Sequence, residues 1–133
     1  MDHSPTICSS AVPDLRRQEA REHLENRITE LAAHIAAATY DLLQLIGQYD
    51  QEKGWVDHGL ASCAHWLQWR CGTNLGAARE KVRVARALPN LPQISAAFRE
   101  GRLSYSKVRA ISRIAKSENE PSLLNMALHG TAL

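Results

Sequence analysis

Phenylalanine occurs once in this 133-residue chain and aromatic residues make up only 5% of it, which excludes a core built on large aromatic side chains. The interior must instead be made of Leu, Ile, Val and Ala, a composition suited to closely packed helices. Cysteine is as sparse: Cys8, Cys63 and Cys71 are odd in number and without paired spacing, so no disulfide framework is expected. Long apolar runs are missing too. The most apolar piece, Ile35 to Ile46, is broken by Thr39, Asp41 and Gln44, well short of a membrane span. Residues 1–13 hold Asp2, no Lys or Arg and no sustained apolar stretch, unlike a secretory signal. A cytoplasmic protein without a membrane partner is therefore expected.

Catalytic signatures are also lacking. There is no Gly-x-Ser-x-Gly elbow, no glycine loop to cradle phosphate and no His-Glu-x-x-His pair. Cys63, His65 and Cys71, with His58 upstream, are near one another in sequence, but positions 63 and 65 point to different sides of a helix and paired ligand spacing is absent. No catalytic residue, metal, cofactor or small-molecule substrate is expected. Asp41, Asp50, Glu52 and Asp57 read as solvated carboxylates, and Ser104, Ser112 and Ser117 as capping or surface hydroxyls.

What the chain does have is a lopsided distribution of charge. The formal net charge is only +2, yet residues 1–69 carry five basic and ten acidic side chains (5 − 10 = −5), while residues 70–133 carry eleven basic and four acidic (11 − 4 = +7). The sign changes at Arg70, and a polyanionic partner for the second part follows as a physical expectation.

Residues 1–13 mix Ser, Pro and Thr without periodicity and read as a disordered leader. From about Asp14 the pattern becomes helical. Leu24, Ile28, Leu31, Ile35, Ala38, Leu42, Leu45 and Tyr49 recur at alternating steps of four and three, a heptad seam roughly 39 Å long at 1.5 Å per residue. Such a helix is either the spine of a bundle or half of a dimer contact. Leu43 and Ile46 widen the stripe, which favours burial within a bundle and leaves a homo-oligomer through Leu24 to Tyr49 as the alternative.

Shorter helices should follow. Gly54 and Gly59 bracket a loop whose Trp55 folds back on the core; Ser62 caps a helix to about Cys71 that ends on Gly72, and Thr73 or Asn74 caps the next. That next helix, Leu75 to Leu88, puts Leu75, Ala78, Val82 and Ala85 on one stripe and Arg79, Lys81, Arg83 and Arg86 mostly off it. Pro89 stops it, and Pro92 opens a short helix through Ile94, Ala97 and Phe98 to Gly101. Ser104 caps another, with Val108, Ile111 and Ala115 inward and Lys107, Arg109, Arg113 and Lys116 outward. Pro121 starts a last apolar helix, Leu123 to Leu128, which a partner or a continuation would cover. The expected fold class is all-α: a helical bundle with one long N-terminal helix followed by short helices.

Ser62 to Leu88 has the outline of a helix-turn-helix, short helix, glycine turn, basic helix, in which the second helix reads a groove of duplex DNA. A second basic element runs from Gly101 to Lys116. Arg70, Arg79, Lys81, Arg83, Arg86, Lys107, Arg109 and Arg113 are the candidate nucleic-acid-binding residues. An ordinary helical hairpin with a solvated charged face is the competing reading.

The landmarks Gly54-Trp55, Gly59, Ser62, Trp66-Leu67, Arg70, Gly72, Ala78, Val82, Ala85, Leu88-Pro89, Leu91-Pro92, Gly101, Leu103-Ser104, Val108 and Ile111 fall at a spacing that carries a resemblance. From about Leu24 onward the chain resembles the N-terminal domain, a domain of unknown function (222), of the actinobacterial 13E12 repeat family, whose longer members end in an HNH endonuclease domain. The resemblance implies an all-helical module over residues 14–133 from a mobile-element-like family and supplies no catalytic residues. None of His3, His23, His34, His58, His65 or His129 stands in an HNH setting, so nuclease activity is not carried over to this polypeptide. Two functions follow as expectations: a non-catalytic DNA-binding or DNA-targeting module, or a helical oligomerisation module whose charges only solvate it.

Overall fold

A computed structural model describes the backbone of residues 4–130 and the side chains of residues 14–130. The chain forms an all-α bundle with a long N-terminal helix and several shorter ones, and no strand occurs among the described residues. Helix α1 spans Ser4–Glu52 and is followed by a 3-10 turn, Gly54–His58. Then come α2 (Cys63–Cys71), α3 (Leu75–Ala87), a 3-10 turn at Leu88–Asn90, α4 (Pro92–Arg99), α5 (Tyr105–Ile111) and α6 (Glu120–His129). The leader expected at residues 1–13 lies outside the residues whose side chains are described.

The chain divides into two compact units, Met1–Ala32 and Ala33–Leu133. In the first, every residue from Asp14 to Ala32 is exposed. An isolated helix of this kind is held only by its own hydrogen bonds and by weak pairs such as Arg27 Nη1 to Glu30 Oε2 at 3.0 Å.

The second unit contains the core. Ala36, Leu43 and Ile46 of α1 meet Cys63, Ala64 and Leu67 of α2 and Ala78, Val82, Val84 and Ala85 of α3. The far side is closed by Ile94, Ala97 and Phe98 of α4, Val108 and Ile111 of α5, Ala127 of α6, and the linker residues Leu88, Leu91 and Leu103. The one phenylalanine is fully buried, edge-on to Tyr40 with ring centroids 5.7 Å apart. A single ring suffices because alanines elsewhere let the helices approach closely.

The caps are largely those the sequence spells. Ser62 Oγ accepts the His65 N–H at 3.2 Å, and Gly72 ends α2 at φ 70°. Asn74, not Thr73, caps α3, its Oδ1 accepting the Gly76 N–H at 2.9 Å. Ser104 Oγ accepts the Lys107 N–H at 3.3 Å at the start of α5, while Pro92 and Pro121 stand in the first turns of α4 and α6. Gly101, at φ 78°, has a second reason to be glycine: a Cβ there would lie 2.6 Å from the carbonyl oxygen of Ala33.

Three expectations need correction. The face of α1 that enters the core is not the seam: Ile35, Leu42 and Leu45 are 67%, 43% and 63% exposed, whereas the flanking Leu43 and Ile46 are buried. The core takes the side of the helix that α2 and α3 can reach, and the heptad residues lie off it. Asp50 is not solvated, because Arg86 claims its carboxylate. Finally, the apolar side of α6 is covered within the chain, with Ala127 buried and Leu123, Leu124 and Leu128 packed on the core beside α4 and α5.

Candidate functional site

Helices α2 and α3 pack closely across a turn of only Gly72, Thr73 and Asn74, giving the helix-turn-helix outline in space. With Ala78, Val82 and Ala85 turned inward, α3 has its arginines on the outside. Arg79, Arg83 and Arg86, spaced by four and three residues, line one surface groove of about 340 Å³ together with Ser62, Cys63, Ala64 and Val82.

Arg109 of α5 and Arg113 of the turn that follows it bring further guanidiniums to α3, and with Arg83 they converge on one carboxylate. Glu80 Oε2 accepts from Arg83 Nε at 2.9 Å, and Glu80 Oε1 accepts from Arg109 Nε at 2.9 Å and from Arg113 Nη2. Arg83 also donates to the Arg109 carbonyl at 3.0 Å, tying α3 to α5 through the backbone. Hydrogen bonds from Arg83 and then Arg109, reinforced by the surrounding positive charge and opposed by burial, hold the Glu80 carboxyl down at about 2. Three guanidiniums against one carboxylate leave the cluster net positive.

The other candidates are distributed differently. Arg86 makes a two-pronged pair with Asp50 of α1, Nε to Oδ2 at 2.7 Å and Nη2 to Oδ1 at 2.9 Å. Lys81 lies over the Tyr105 ring, 5.1 Å from its centroid. Lys107 turns away from the surface groove: its Nζ donates to the Ala127 and Gly130 carbonyls at 2.7 and 3.1 Å, neutralising the C-terminal end of α6. Arg70 and Arg79 are exposed and form no ion pair or hydrogen bond among the described residues. The structure thus gathers Arg79, Arg83 and Arg86 along one groove and Arg83, Arg109 and Arg113 on Glu80, with Lys81 beside Glu80 and Arg109, while Lys107 is drawn to α6 and Arg70 joins neither group.

A family model described as a domain of unknown function, DUF222, matches residues 18–127. The chain belongs to the DUF222 family. No curated protein and no solved structure matches it.

The landmarks of this DUF222 domain are architectural. Ser62, Gly72 and Ser104 are caps, Gly101 is a close-approach glycine, and Ala78, Val82, Leu88, Leu91, Leu103, Val108 and Ile111 are buried. Among the described residues no group of three or more His, Cys, Asp or Glu could hold a metal ion. Cys63 is buried while Cys71 is exposed, and His65 Nδ1 sits 2.6 Å from the Ser62 hydroxyl. Burial, with the Asp50 charge nearby, pushes the Cys63 thiol up to about 11. No helix is long and apolar enough to cross a membrane among the described residues.

A second surface is apolar. In the second unit, Leu42, Leu45, Ile46 and Tyr49 of α1 and Cys63, Trp66, Leu67 and Cys71 of α2 line a groove of about 310 Å³ with almost no polar wall. The Trp66 indole N–H is buried and without a partner. In the first unit, Leu24, Ile28 and Leu31 are 59%, 66% and 48% exposed. These are seam positions, so each unit presents its share of the stripe to solvent.

Sequence reasoning missed the carboxylates. Glu80, Asp50 and the buried Glu120, whose Oε2 accepts the Ile94 N–H at 2.8 Å, organise the helices. The only available signal was Glu80 at i, i+3 from Arg83; Asp50 and Glu120 act across more than twenty residues.

Proposed function

We propose that this domain is a self-associating helical module that pairs with a second copy through the heptad face of α1. The observation that carries this reading is the run Asp14–Ala32, helical and wholly exposed, with large apolar residues at seam positions. The seam places Ile28, Ile35, Leu42 and Tyr49 at one heptad position and Leu24, Leu31, Ala38 and Leu45 at the other. Isoleucine at Ile28 and Ile35 of the first and leucine at Leu24, Leu31 and Leu45 of the second lean towards a two-stranded coil, which makes a second copy the fitting occupant. Covering the six large residues on each of two chains, each about half exposed, is worth roughly 10–20 kcal/mol gross at about 1.5–3 kcal/mol per fully buried side chain. Set against the roughly 4–15 kcal/mol lost on association, that gain leaves room for a reversible dimer.

Sedimentation velocity over a concentration series tests it. The native chain should pass from monomer to dimer, and Ile28→Asp with Leu31→Asp should hold it monomeric. A strict monomer at every concentration refutes the reading.

A second reading is favoured by two arginine groups that share Arg83, one with Arg79 and Arg86 and one with Arg109 and Arg113: contact with the phosphates of duplex DNA. Two carboxylates against five guanidiniums leave net positive charge, and the Arg86, Arg109 and Arg113 side chains are more than half exposed, within reach of a phosphate. Binding that falls steeply with salt supports this reading, and no affinity for duplex even at low salt removes it. The two readings are compatible, since dimers commonly present groove-reading helices. A role beside an HNH nuclease, as in the 13E12 repeat proteins, is the family context in which such a module would serve to target DNA.

A further inference from the structure

The arginine cluster on α3, α5 and the turn after α5 has a feature that a simple cationic patch lacks: an anion already sits inside it. Glu80 offers only 18% of its side chain to solvent, yet its two oxygens receive three guanidiniums, from α3, α5 and the turn after α5. That is the geometry in which arginines grip a phosphate. The outer arginines are unlike Glu80 in exposure, with Arg109 at 51% and Arg113 at 54%, and each keeps N–H groups that no described residue accepts. Beside them Tyr105, Lys81, Arg109 and Glu80 border a cavity of about 220 Å³, and the Tyr105 hydroxyl is buried without a partner. An unpartnered hydroxyl next to an occupied arginine cluster marks a place where a further acceptor would be welcome.

We propose that Arg83, Arg109 and Arg113 form a phosphodiester site whose internal occupant, Glu80, holds the arginines converged and competes with the backbone phosphate of duplex DNA. This rests on the duplex-DNA reading above. The carboxylate keeps three like charges from splaying in the free protein, and its own charge opposes an incoming phosphate. Binding therefore exchanges one anion for another, and the site is weakened but kept in shape by its own glutamate. Because Glu80 stays ionised down to about pH 2, the competition is constant across neutral and mildly acidic conditions.

The test is a fluorescence-anisotropy titration of a labelled duplex at low salt with the full chain, comparing the native protein with Glu80→Gln, Glu100→Gln and Arg113→Gln. Glu100, exposed and paired with Arg102, is the control that makes the same change in net charge outside the cluster. Glu80→Gln should tighten binding about three- to tenfold, the effect of one unit charge about 6 Å away at effective dielectric constants between bulk water and half that value. Glu100→Gln should change it less than about twofold, because that carboxylate is paired with Arg102 outside the cluster and its exposed charge is screened. Arg113→Gln should weaken binding and lower the salt slope by about one. Circular dichroism on each variant separates loss of fold from loss of contact. If Glu80→Gln and Glu100→Gln bind alike, or if Glu80→Gln binds more weakly, the competing-anion site is wrong even though DNA binding stands. If neither the native chain nor Glu80→Gln binds duplex, both the site and the reading beneath it fall.

Discussion

Replacing Gly101 with alanine should destabilise the protein far more than the same change at Gly72, and the difference measures one tertiary contact. Both glycines sit in the left-handed region, at φ 78° and φ 70°, where an L side chain costs about 1–2 kcal/mol. Alanine returns part of this, about 0.4–1 kcal/mol, by restricting the unfolded chain. Around Gly72 a Cβ meets nothing within 4 Å, so the net loss should stay near 1 kcal/mol. At Gly101 the Cβ would lie 2.6 Å from the Ala33 carbonyl oxygen, 3.1 Å from its carbon and 3.2 Å from its Cβ. Backbone cannot swing aside as a side chain does, so an overpacking term of about 1–3 kcal/mol adds to the strain. The expected totals are about 1 kcal/mol for Gly72→Ala and about 2–4 kcal/mol for Gly101→Ala. Urea unfolding followed by circular dichroism, at one fixed protein concentration because pairing would shift the midpoint, gives both values. Equal losses would mean that the turn after α4 does not approach α1 as described, and the reasoning would fail.

Other perturbations probe separate parts. Glu80 has its carboxyl lowered from the ordinary 4.5 to about 2, so the stability it contributes is fully present above pH 4.5 and is lost as pH falls from there through 2. Acid titration of Glu80→Gln should accordingly show a shallower loss across that window, and an unchanged profile would discount the cluster. Asn74→Ala removes the acceptor for the Gly76 N–H and should lose about 1 kcal/mol in urea unfolding, whereas Thr73→Ala should lose little. Cys63, buried and with its thiol raised to about 11, should resist iodoacetamide until the protein unfolds, while exposed Cys71 reacts in the native state. Peptide mapping by mass spectrometry distinguishes the two, and early labelling of Cys63 would contradict its burial. Asp50→Asn leaves Arg86 with a neutral partner at a site where the carboxylate is only 10% exposed, so a loss of about 1–2 kcal/mol is expected, partly recovered in the double variant with Arg86→Gln.

Local signals were the legible ones. Ser62, Gly72, Pro92 and Ser104 announced where helices begin and end because capping acts over a few residues, and the stripe Ala78, Val82, Ala85 named the inner side of α3 because helical periodicity does the same. The orientation of α1 was not legible. Its sequence carries two apolar faces that share a helix, one through Leu43 and Ile46 and one through the heptad positions, and periodicity cannot say which meets the core. The identity of the cations was readable, but their partners were not: Asp50 with Arg86, and Glu80 with Arg109 and Arg113, are brought together only by tertiary packing. Lys107 illustrates the limit. It lies on the outward side of a basic helix in the sequence pattern, yet α6 supplies carbonyls that draw it inward.

All three tryptophans fall between Trp55 and Trp69, at the corner where the end of α1 meets α2. The Trp66 and Tyr49 ring centroids lie 4.4 Å apart in the apolar groove, Trp55 meets the same tyrosine edge-on at 6.4 Å, and Trp69 is exposed beside His58. The intrinsic fluorescence of the domain is therefore a local gauge, blind to α4, α5 and α6. Acrylamide should quench Trp69 readily and Trp66 poorly, so filling the groove would alter the spectrum without any attached dye.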